Sequence, residues 1–380
     1  MKARTHWKKE PMPGTKSKEP GGACVAENKG DMQDVAARLR ICVVGQFSVQ
    51  GLPTQGEELA RHLQEICGRV DLISRSPSRP LRLLEVFCRL LLFAARYDSI
   101  CIQTFGRKAL ILEAVAILLA RAWRRRVVLC LRGGDLPDSM AQSPRLYRWF
   151  YRRAQLAVCP SEFLRQALAP HQLAFAVIPN ALEPRDYLYR VRSHIRPRLL
   201  WMRTFYPYYN PMLALRAFAS VHRRYPEARL TMAGFDSGME QEVRQAAAAM
   251  GLPVAFPGFI PKEEIPAVMD AHDIYLNTPH IDNMPITVIE ALLCGLPVVS
   301  TSVGGIPYLL RHGETGLLVG DDDAEACAAA IVRLVEEPAL GERLSCAGRR
   351  YAETFSWQNI LPLWAKALAP ERAKSQDSTG

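Results

Sequence analysis

Residues 282–301 read DNMPITVIEALLCGLPVVST, and this stretch decides the fold expected for the whole chain. Its pattern predicts a loop, a short helix, a turn and a strand. Asn283 is expected to be the N-cap, and Pro285 suits the first helical turn because the amide it lacks would be unpaired there. Gly295 and Pro297 end the helix, and the β-branched run after them is typical of a buried parallel strand.

Glu290 is the unexpected residue of this helix. Its neighbours on both sides are apolar, and a carboxylate buried among them is costly unless it has a partner. Helical side chains lean toward the N-terminus, so Glu290 extends back over the turn that begins near Asn283. That end offers free N–H groups and the positive pole of the helix dipole. These features favour a hydroxyl-rich, anionic ligand; the alternative interpretation is a core helix with one hydrogen-bonded glutamate.

The same stretch resembles the acidic-x7-Glu signature of the retaining glycosyltransferases of family 4, with Asp282 in place of the first glutamate. The resemblance extends over residues 39–368, where the segments AG, GFI, EALLCGLPVVST, VGGIP and GETGLLV follow one another in the family order. It implies an α/β chain with the GT-B fold, in which two doubly wound, Rossmann-like domains face a cleft. The implied activity is a retaining, metal-independent transfer of a sugar from a nucleotide-sugar donor to a hydroxyl acceptor.

The resemblance also implies the substrates. The expected acceptor is a saccharide or a lipid-linked saccharide, as in the synthesis of cell-surface polysaccharides or glycolipids. No cofactor is expected, since the nucleotide sugar is a co-substrate and the first strand-loop-helix lacks the nicotinamide fingerprint. The acidic run 321–323 precedes a predicted helix, which favours a helix N-cap over a metal site. No metal is therefore expected.

Alternating strand and helix patterns predict a parallel sheet in each half of the chain. We expect a disordered basic tail over residues 1–38, an N-terminal acceptor-side domain over 39–180 and a linker over 181–197. The nucleotide-sugar-binding domain is expected over 198–355. The resemblance implies that a terminal helix, 356–369, crosses back to the first domain.

Charge is distributed unevenly between the two halves. Residues 1–200 hold 33 Lys+Arg against 17 Asp+Glu, and the remainder holds 15 against 21, which together give the net charge of +10. A basic half indicates an anionic partner. Zinc-finger spacings and RNA-binding aromatic motifs are absent from the sequence, so an anionic membrane surface is favoured over nucleic acid.

Two apolar segments, 81–95 and 108–123, lie in this basic half. Both are interrupted by charges and are shorter than the ~20 residues that span a bilayer. One interpretation is a pair of buried helices, and the other is a pair of helices lying on anionic lipid. The flanking arginines are Arg82, Arg89, Arg96, Arg107, Arg121, Arg124, Arg125 and Arg126.

The ten cysteines occur singly and mostly within apolar runs. They are expected to be small buried hydrophobes in a reducing compartment. The tail lacks the apolar core of a signal peptide. We therefore expect a cytoplasmic protein that associates peripherally with the inner face of the cell membrane.

In the first half, candidate site residues follow the predicted strands. Gly56 begins a helix after the first strand, where the resemblance implies contact with the donor diphosphate. Arg132, Gly133 and Asp135 follow a later strand, where many relatives have a histidine near the transferred sugar. Arg132 is instead expected to hold a phosphate or an acidic acceptor.

In the second half, the resemblance implies that Arg203 neutralises the donor diphosphate. The lysine that usually follows is replaced by residues 206–210 (YPYYN). Catalytic roles are expected for Asp282 on the sugar, Glu290 on the ribose and Arg203 on the diphosphate. The other residues expected to bind the donor are Asn283, Met284, Pro285, Ile286, Phe259, Ile260, Gly304 and Gly305.

Two other functions remain open at this point. Asp282, Arg132 and the missing lysine are compatible with a non-catalytic subunit that binds nucleotide sugars or serves as a scaffold. A nucleotide-sugar epimerase with the GT-B fold would need no acceptor. The sequence names neither the sugar, nor the nucleotide base, nor the acceptor.

Overall fold

The structure is a computed structural model, and it describes residues 37–45, 47, 54–74, 76, 78–105, 109–133, 136–171 and 174–369. Almost all of the predicted tail, together with Asp135 and Arg107, lies outside these residues. Among the described ranges, no helix has the length and apolar content that crossing a membrane requires.

The first half of the chain builds one six-stranded parallel sheet in the order β2-β1-β3-β4-β5-β6. Its strands are β1 Arg40–Val44, β2 Arg69–Ile73, β3 Ser99–Thr104, β4 Arg126–Leu131, β5 Leu156–Cys159 and β6 Phe175–Val177. Its helices are α1 Gln55–Ile66, α2 Arg79–Phe93, α3 Leu110–Ala122, α4 Leu136–Gln142, α5 Pro144–Tyr151 and α6 Glu162–Leu168.

The second half builds a second six-stranded parallel sheet, in the order β12-β11-β10-β7-β8-β9. Its strands are β7 Arg198–Met202, β8 Arg229–Ala233, β9 Val254–Gly258, β10 Ile274–Asn277, β11 Val298–Thr301 and β12 Leu317–Val319. Its helices are α7 Pro211–Arg224, α8 Glu240–Ala249, α9 Ile265–Asp270, α10 Ile286–Leu293, α11 Ile306–Leu309, α12 Ala324–Glu336 and α13 Pro338–Ala352; α14 Trp357–Leu368 follows.

Both sheets are covered on both faces, which is the doubly wound arrangement predicted from the strand and helix pattern. In β1, Ile41 and Val43 belong to one apolar core and Cys42 and Val44 to the core on the opposite face. The strand order reverses beside β1 and beside β7, and ligands of such folds bind at the carboxyl ends of the strands around these points. The described residues that follow β1, β3, β4, β7 and β10 therefore lie around the expected site.

Helix α14 returns to the first sheet. Its Trp357 stacks on His62 of α1 with ring centroids 4.1 Å apart. At its other end, Ser99 Oγ donates a hydrogen bond of 3.3 Å to the Leu368 carbonyl, and an arginine of β4, Arg126, donates from Nη2 to the Ala367 carbonyl at 3.2 Å. The exact domain boundaries stay predictions.

One detail of the central stretch was predicted wrongly. Helix α10 begins at Ile286 with Pro285, not Asn283, at the N-cap position. The Asn283 side chain is engaged elsewhere, because Ser161 Oγ donates a hydrogen bond to its Oδ1 from the first half of the chain. Ser161 is itself the N-cap of α6.

Helix α2 is only partly buried. Val86 and Leu90 are its buried residues, whereas Leu84 is 57% exposed and Leu92 66% exposed. The interpretation as a simple buried helix therefore fails for its outer side. That side, which we call the apolar face of α2, consists of Leu81, Leu84, Phe87, Leu91 and Leu92.

Candidate active site

Two of the cavities that the described residues enclose lie in the cleft between the two sheets. The larger, of about 540 Å³, is lined by the loops that follow β1, β3, β4 and β10 and by residues from the segment after β7. The smaller, of about 190 Å³, lies beside the Glu290 side of α10. Ile286 and Gln55 line both, so the cavities adjoin.

Glu290 lines the smaller cavity instead of sitting in a sealed core. Its side chain is buried, and the hydroxyl of Tyr187 donates a hydrogen bond of 2.9 Å to its Oε1. Burial raises the pKa of Glu290 to about 7, although the bond from Tyr187 and the charges of Lys262 and Arg203 act in the opposite direction. The carboxylate therefore gains its charge near neutral pH, beside an open space that a ligand can enter.

Lys262 crosses the cleft beside this cavity. Its Nζ lies 2.7 Å from Oε1 of Glu58 on α1, and Glu58 also accepts a hydrogen bond of 2.6 Å from Arg61. Burial alone would raise the pKa of Glu58, but the bonds from Lys262 and Arg61 hold it below its ordinary value. Neither Lys262 nor Tyr187 was predicted from the sequence as a site residue. Only the position of Lys262 just after the GFI segment could have indicated it.

Arg203 and Asp282 form an ion pair at the floor of the cleft. Nη2 of Arg203 lies 2.5 Å from Oδ2 of Asp282, and Nη1 donates to Thr287 Oγ1 at 3.2 Å. The guanidinium carbon also lies 4.0 Å from the ring centroid of Tyr209. Burial is the largest single effect and works against the charge of Arg203, but Asp282, Tyr209 and Tyr275 together raise the arginine pKa. The YPYYN segment thus supplies an aromatic surface where a lysine was expected.

The loop 282–285 is held by both halves of the chain. Nδ2 of Asn180 donates a hydrogen bond of 2.9 Å to the Met284 carbonyl, and Asp282 Oδ1 accepts one of 2.8 Å from the Asn283 amide. Among the residues expected to bind the donor, Pro285 cannot donate a backbone hydrogen bond, because proline has no N–H. Asn283 and Met284 line the larger cavity.

Gly304 and Gly305 pack against this loop. A Cβ on Gly304, whose φ is +52°, would lie 2.2 Å from the Asp282 carbonyl oxygen, and one on Gly305 would lie 1.8 Å from that of Asn283. The Gly305 amide donates to the Asp282 carbonyl at 2.8 Å. These contacts explain both glycines, and their contact with a donor stays a prediction.

Phe259 and Ile260 lie on the loop after β9. The Phe259 ring stacks on Phe235 with centroids 4.2 Å apart, and Ile260 is buried in an apolar core of the second half of the chain. Their contact with the donor stays a prediction.

On the first-half side, Gly56 and Arg132 line the larger cavity. Arg132 Nε donates to Gln103 Oε1 at 3.0 Å, and its Nη1 donates to Asn180 Oδ1 at 2.7 Å. The Gly133 carbonyl accepts from the Leu136 amide at 3.2 Å. Burial lowers the pKa of Arg132, against a smaller opposite effect of Cys130.

The acidic run 321–323 is engaged within the protein. Asp323 is the N-cap of α12, where its side chain accepts from the Ala326 amide, so the expected N-cap is confirmed. Asp321 pairs with His280 at 2.8 Å, and Asp322 accepts from Asn210 at 3.0 Å. Within the described ranges, no group of three or more acidic, histidine or cysteine side chains is placed to hold a metal ion.

The amino-acid sequence that builds this cleft matches two family models, which together cover most of the chain. The family model described as "Glycosyl transferases group 1" matches residues 192–351, and the "Glycosyl transferase 4-like domain" matches residues 35–181. The chain therefore belongs to the family 4 glycosyltransferases, as the sequence analysis inferred.

Two curated relatives illustrate the similarity. The D-inositol 3-phosphate glycosyltransferase of Rhodococcus jostii is 33% identical over 199 residues, which is 50% of this chain and 42% of the relative. The chain thus spans less than half of that relative. A GDP-mannose-dependent phosphatidylinositol monomannoside mannosyltransferase of Mycolicibacterium smegmatis is 27% identical over 283 residues, 68% of this chain and 74% of the relative.

Solved structures share the fold. Anabaena HepE in complex with UDP and glucose superposes with a TM-score of 0.68 at 21% identity, covering 87% of this chain and 99% of HepE. Sucrose-phosphate synthase from Thermosynechococcus elongatus gives a TM-score of 0.70 at 17% identity, covering 87% and 98%. The fold is GT-B, as predicted.

Proposed function

We propose that this protein transfers a sugar from a nucleotide-sugar donor to a hydroxyl acceptor, with retention of the anomeric configuration. The observation that carries the proposal is the grouping of Glu290 and the Arg203–Asp282 pair around the first turn of α10, beside two adjoining cavities. Chain membership in family 4 supports the same reaction class.

The donor is held in three parts. Glu290 accepts hydrogen bonds from the ribose hydroxyls, since it is a buried carboxylate facing the smaller cavity. Arg203 binds the diphosphate through its guanidinium, which lies beside Asp282 and α10. Asp282 meets the sugar from the wall of the larger cavity. The Mycolicibacterium relative is named for GDP-mannose and HepE was solved with UDP-glucose, so a nucleoside diphosphate sugar is the supported donor class.

The chemistry follows from the charges. As the sugar leaves, negative charge builds on the diphosphate, and preorganised positive charge stabilises it. Arg203 and the N-terminus of α10 supply that charge, so the proposed reaction needs no metal. Both Asp282 oxygens are already bonded, one to Arg203 and one to the Asn283 amide. This carboxylate is therefore unsuited to act as a covalent nucleophile. We favour a mechanism in which the acceptor hydroxyl attacks the sugar from the face that the phosphate leaves.

The proposed acceptor is a saccharide or lipid-linked saccharide that enters at a membrane surface. The apolar face of α2 stands in a half of the chain with an excess of basic residues. Arg89 and Arg96, which border it, are exposed. Exposed apolar side chains beside arginines are typical of helices that lie on anionic lipid. We therefore propose that the protein associates peripherally with the cytoplasmic face of the cell membrane.

The test is release of nucleotide from UDP-, GDP- and ADP-sugars, with and without a cellular lipid extract. Release that depends on the extract supports transfer. Binding without release in any mixture would favour a non-catalytic subunit. Conversion of the nucleotide sugar in the absence of an acceptor would favour an epimerase.

A further inference from the structure

Arg132 is a cation whose described partners are all neutral. Its hydrogen bonds go to the amide oxygens of Gln103 and Asn180, and none of the carboxylates in the described part of the chain pairs with it. Arg132 is half-buried, and charges withdrawn from water are normally paired, because neutral dipoles only partly replace the water around them. The larger cavity therefore contains a guanidinium that retains attraction for an anion.

Two further donors lack acceptors on the same cavity wall. Gln103 is 3% exposed and Asn283 is 4% exposed, and the amide nitrogens Nε2 and Nδ2 of these residues have no hydrogen-bond partner. Their amide oxygens are already used, by Arg132 and by Ser161. Arg132 has only donors, so it fixes the orientation of the Gln103 amide and leaves Nε2 without an oxygen acceptor, with the Cys130 thiol, a weak acceptor, as its neighbour.

The charge balance of the cavity favours an anion as well. Asp282 is the carboxylate among the described lining residues, and it is neutralised by Arg203. Arg132 therefore leaves the wall with a positive charge that no described side chain offsets. A space of about 540 Å³ also has room for a sugar-sized ligand.

We propose that the larger cavity recognises a substrate bearing an oxyanion, a phosphate or a carboxylate, which pairs with Arg132 and accepts from Gln103. The inference rests on the proposed function, because the anion belongs to a sugar that reacts in this cleft. The oxyanion is carried either by the acceptor or by the sugar being transferred. Both sources present the same chemistry to Arg132, and paired N–H groups suit a planar or tetrahedral oxyanion.

Arg132 acts in this scheme as a specificity residue. The hydrogen bonds to Gln103 and Asn180 orient the guanidinium of Arg132. The side-chain amide of Asn180 in turn donates a hydrogen bond to the Met284 carbonyl. An anion bound at Arg132 is thus connected through Asn180 to Met284 in the second half of the protein. Removing the charge should abolish discrimination between acidic and neutral sugars without weakening nucleotide binding.

The experiment is a ligand-observed NMR titration of the full chain with saturating UDP or GDP, whichever binds. Glucose 6-phosphate and glucuronate are compared with glucose as acceptor-like probes. In a second arm without added nucleotide, UDP-glucuronate is compared with UDP-glucose. We expect at least one acidic probe to bind about tenfold more tightly than its neutral match. The arm in which this occurs identifies the acceptor or the transferred sugar as the source.

Three variants complete the test. Arg132→Gln should bring the acidic-to-neutral affinity ratio close to one, Arg132→Lys should keep part of it, and Arg223→Gln, an exposed arginine on α7, should leave it unchanged. Equal affinity for acidic and neutral probes in both arms of the wild-type protein would overturn the inference, even if Arg132→Gln did not fold. Failure of UDP and GDP to bind would instead count against the proposed function.

Discussion

The hydroxyl of Tyr187 donates a hydrogen bond of 2.9 Å to the carboxylate of Glu290. Tyr187 belongs to the segment that joins the two sheets, whereas Glu290 lies on the helix at the centre of the cleft. The connecting segment therefore helps to set the protonation of the residue that we propose to hold the ribose. Because the Glu290 pKa is raised to about 7, both stability and ligand binding should respond to pH near neutrality.

The first prediction concerns stability. Glu290 has a higher pKa folded than unfolded, so its contribution favours folding at low pH and is lost as pH rises from about 4.5 to about 7. The full loss is on the order of 3 kcal/mol. Glu290→Gln removes this titration, so its melting temperature relative to wild type should rise across this window. Thermal unfolding of both proteins at several pH values measures the difference. A difference independent of pH would contradict the assignment.

A matched variant tests the role of the tyrosine. Tyr187→Phe removes a hydrogen bond that lowers the Glu290 pKa, so the pH window of the stability loss should extend upward. Glu290→Gln/Tyr187→Phe should show no such extension, since the titrating group is absent. An extension that persists in the double variant would assign the effect to another group.

The second prediction concerns Arg203. Arg203→Ala should weaken binding of UDP or GDP more than binding of the matching nucleoside, because the guanidinium meets only the phosphates. Hydrogen bonds to charged groups contribute roughly 1.5–3 kcal/mol, so the loss for the diphosphate is about tenfold to a hundredfold. Calorimetric titration of both ligands measures it. Equal losses would place Arg203 outside the phosphate site.

Asp282→Asn is the matched control for that variant. It removes the negative partner that now holds Arg203 but retains the size of the side chain. Diphosphate affinity should be unchanged or higher, while transfer of the sugar should fall.

The third prediction concerns the membrane. Leu84→Gln/Leu91→Gln, two changes on the apolar face of α2, should weaken association with anionic vesicles while nucleotide binding is retained. Basic residues near a surface contribute about 1 kcal/mol each and act within a Debye length, so wild-type binding should also fall near molar salt. Met250→Gln, at an exposed site in the second half, should have no effect. Co-sedimentation that ignores salt and lipid charge would contradict this prediction.

Much of the fold could be predicted from the sequence, because parallel strands buried on both faces are continuous apolar runs. Glu290 could be selected as a site residue for the same reason, since a carboxylate in such a run needs an explanation. The sequence did not decide whether Glu290 faces a ligand site or an apolar core. Only the structure locates it beside a cavity.

The partners of the site residues could not be predicted in the same way. Tyr187 is 103 residues from Glu290 and Lys262 is 204 residues from Glu58, so no local spacing signals either contact. The error at Asn283 has the same origin. Its local pattern indicates a cap, but a bond to Ser161, 122 residues away, engages its side chain.

The most direct measurement is calorimetric titration of UDP and GDP into wild-type protein and Glu290→Gln at pH 8, where the wild-type carboxylate is charged. Gln keeps the shape of the side chain but loses charge-assisted hydrogen bonds to the ribose. We predict that one nucleotide binds the wild type and binds Glu290→Gln about tenfold or more weakly, with the variant still folded by circular dichroism. Equal affinity of the two proteins for every nucleotide would contradict the ribose role and leave Glu290 a hydrogen-bonded core residue.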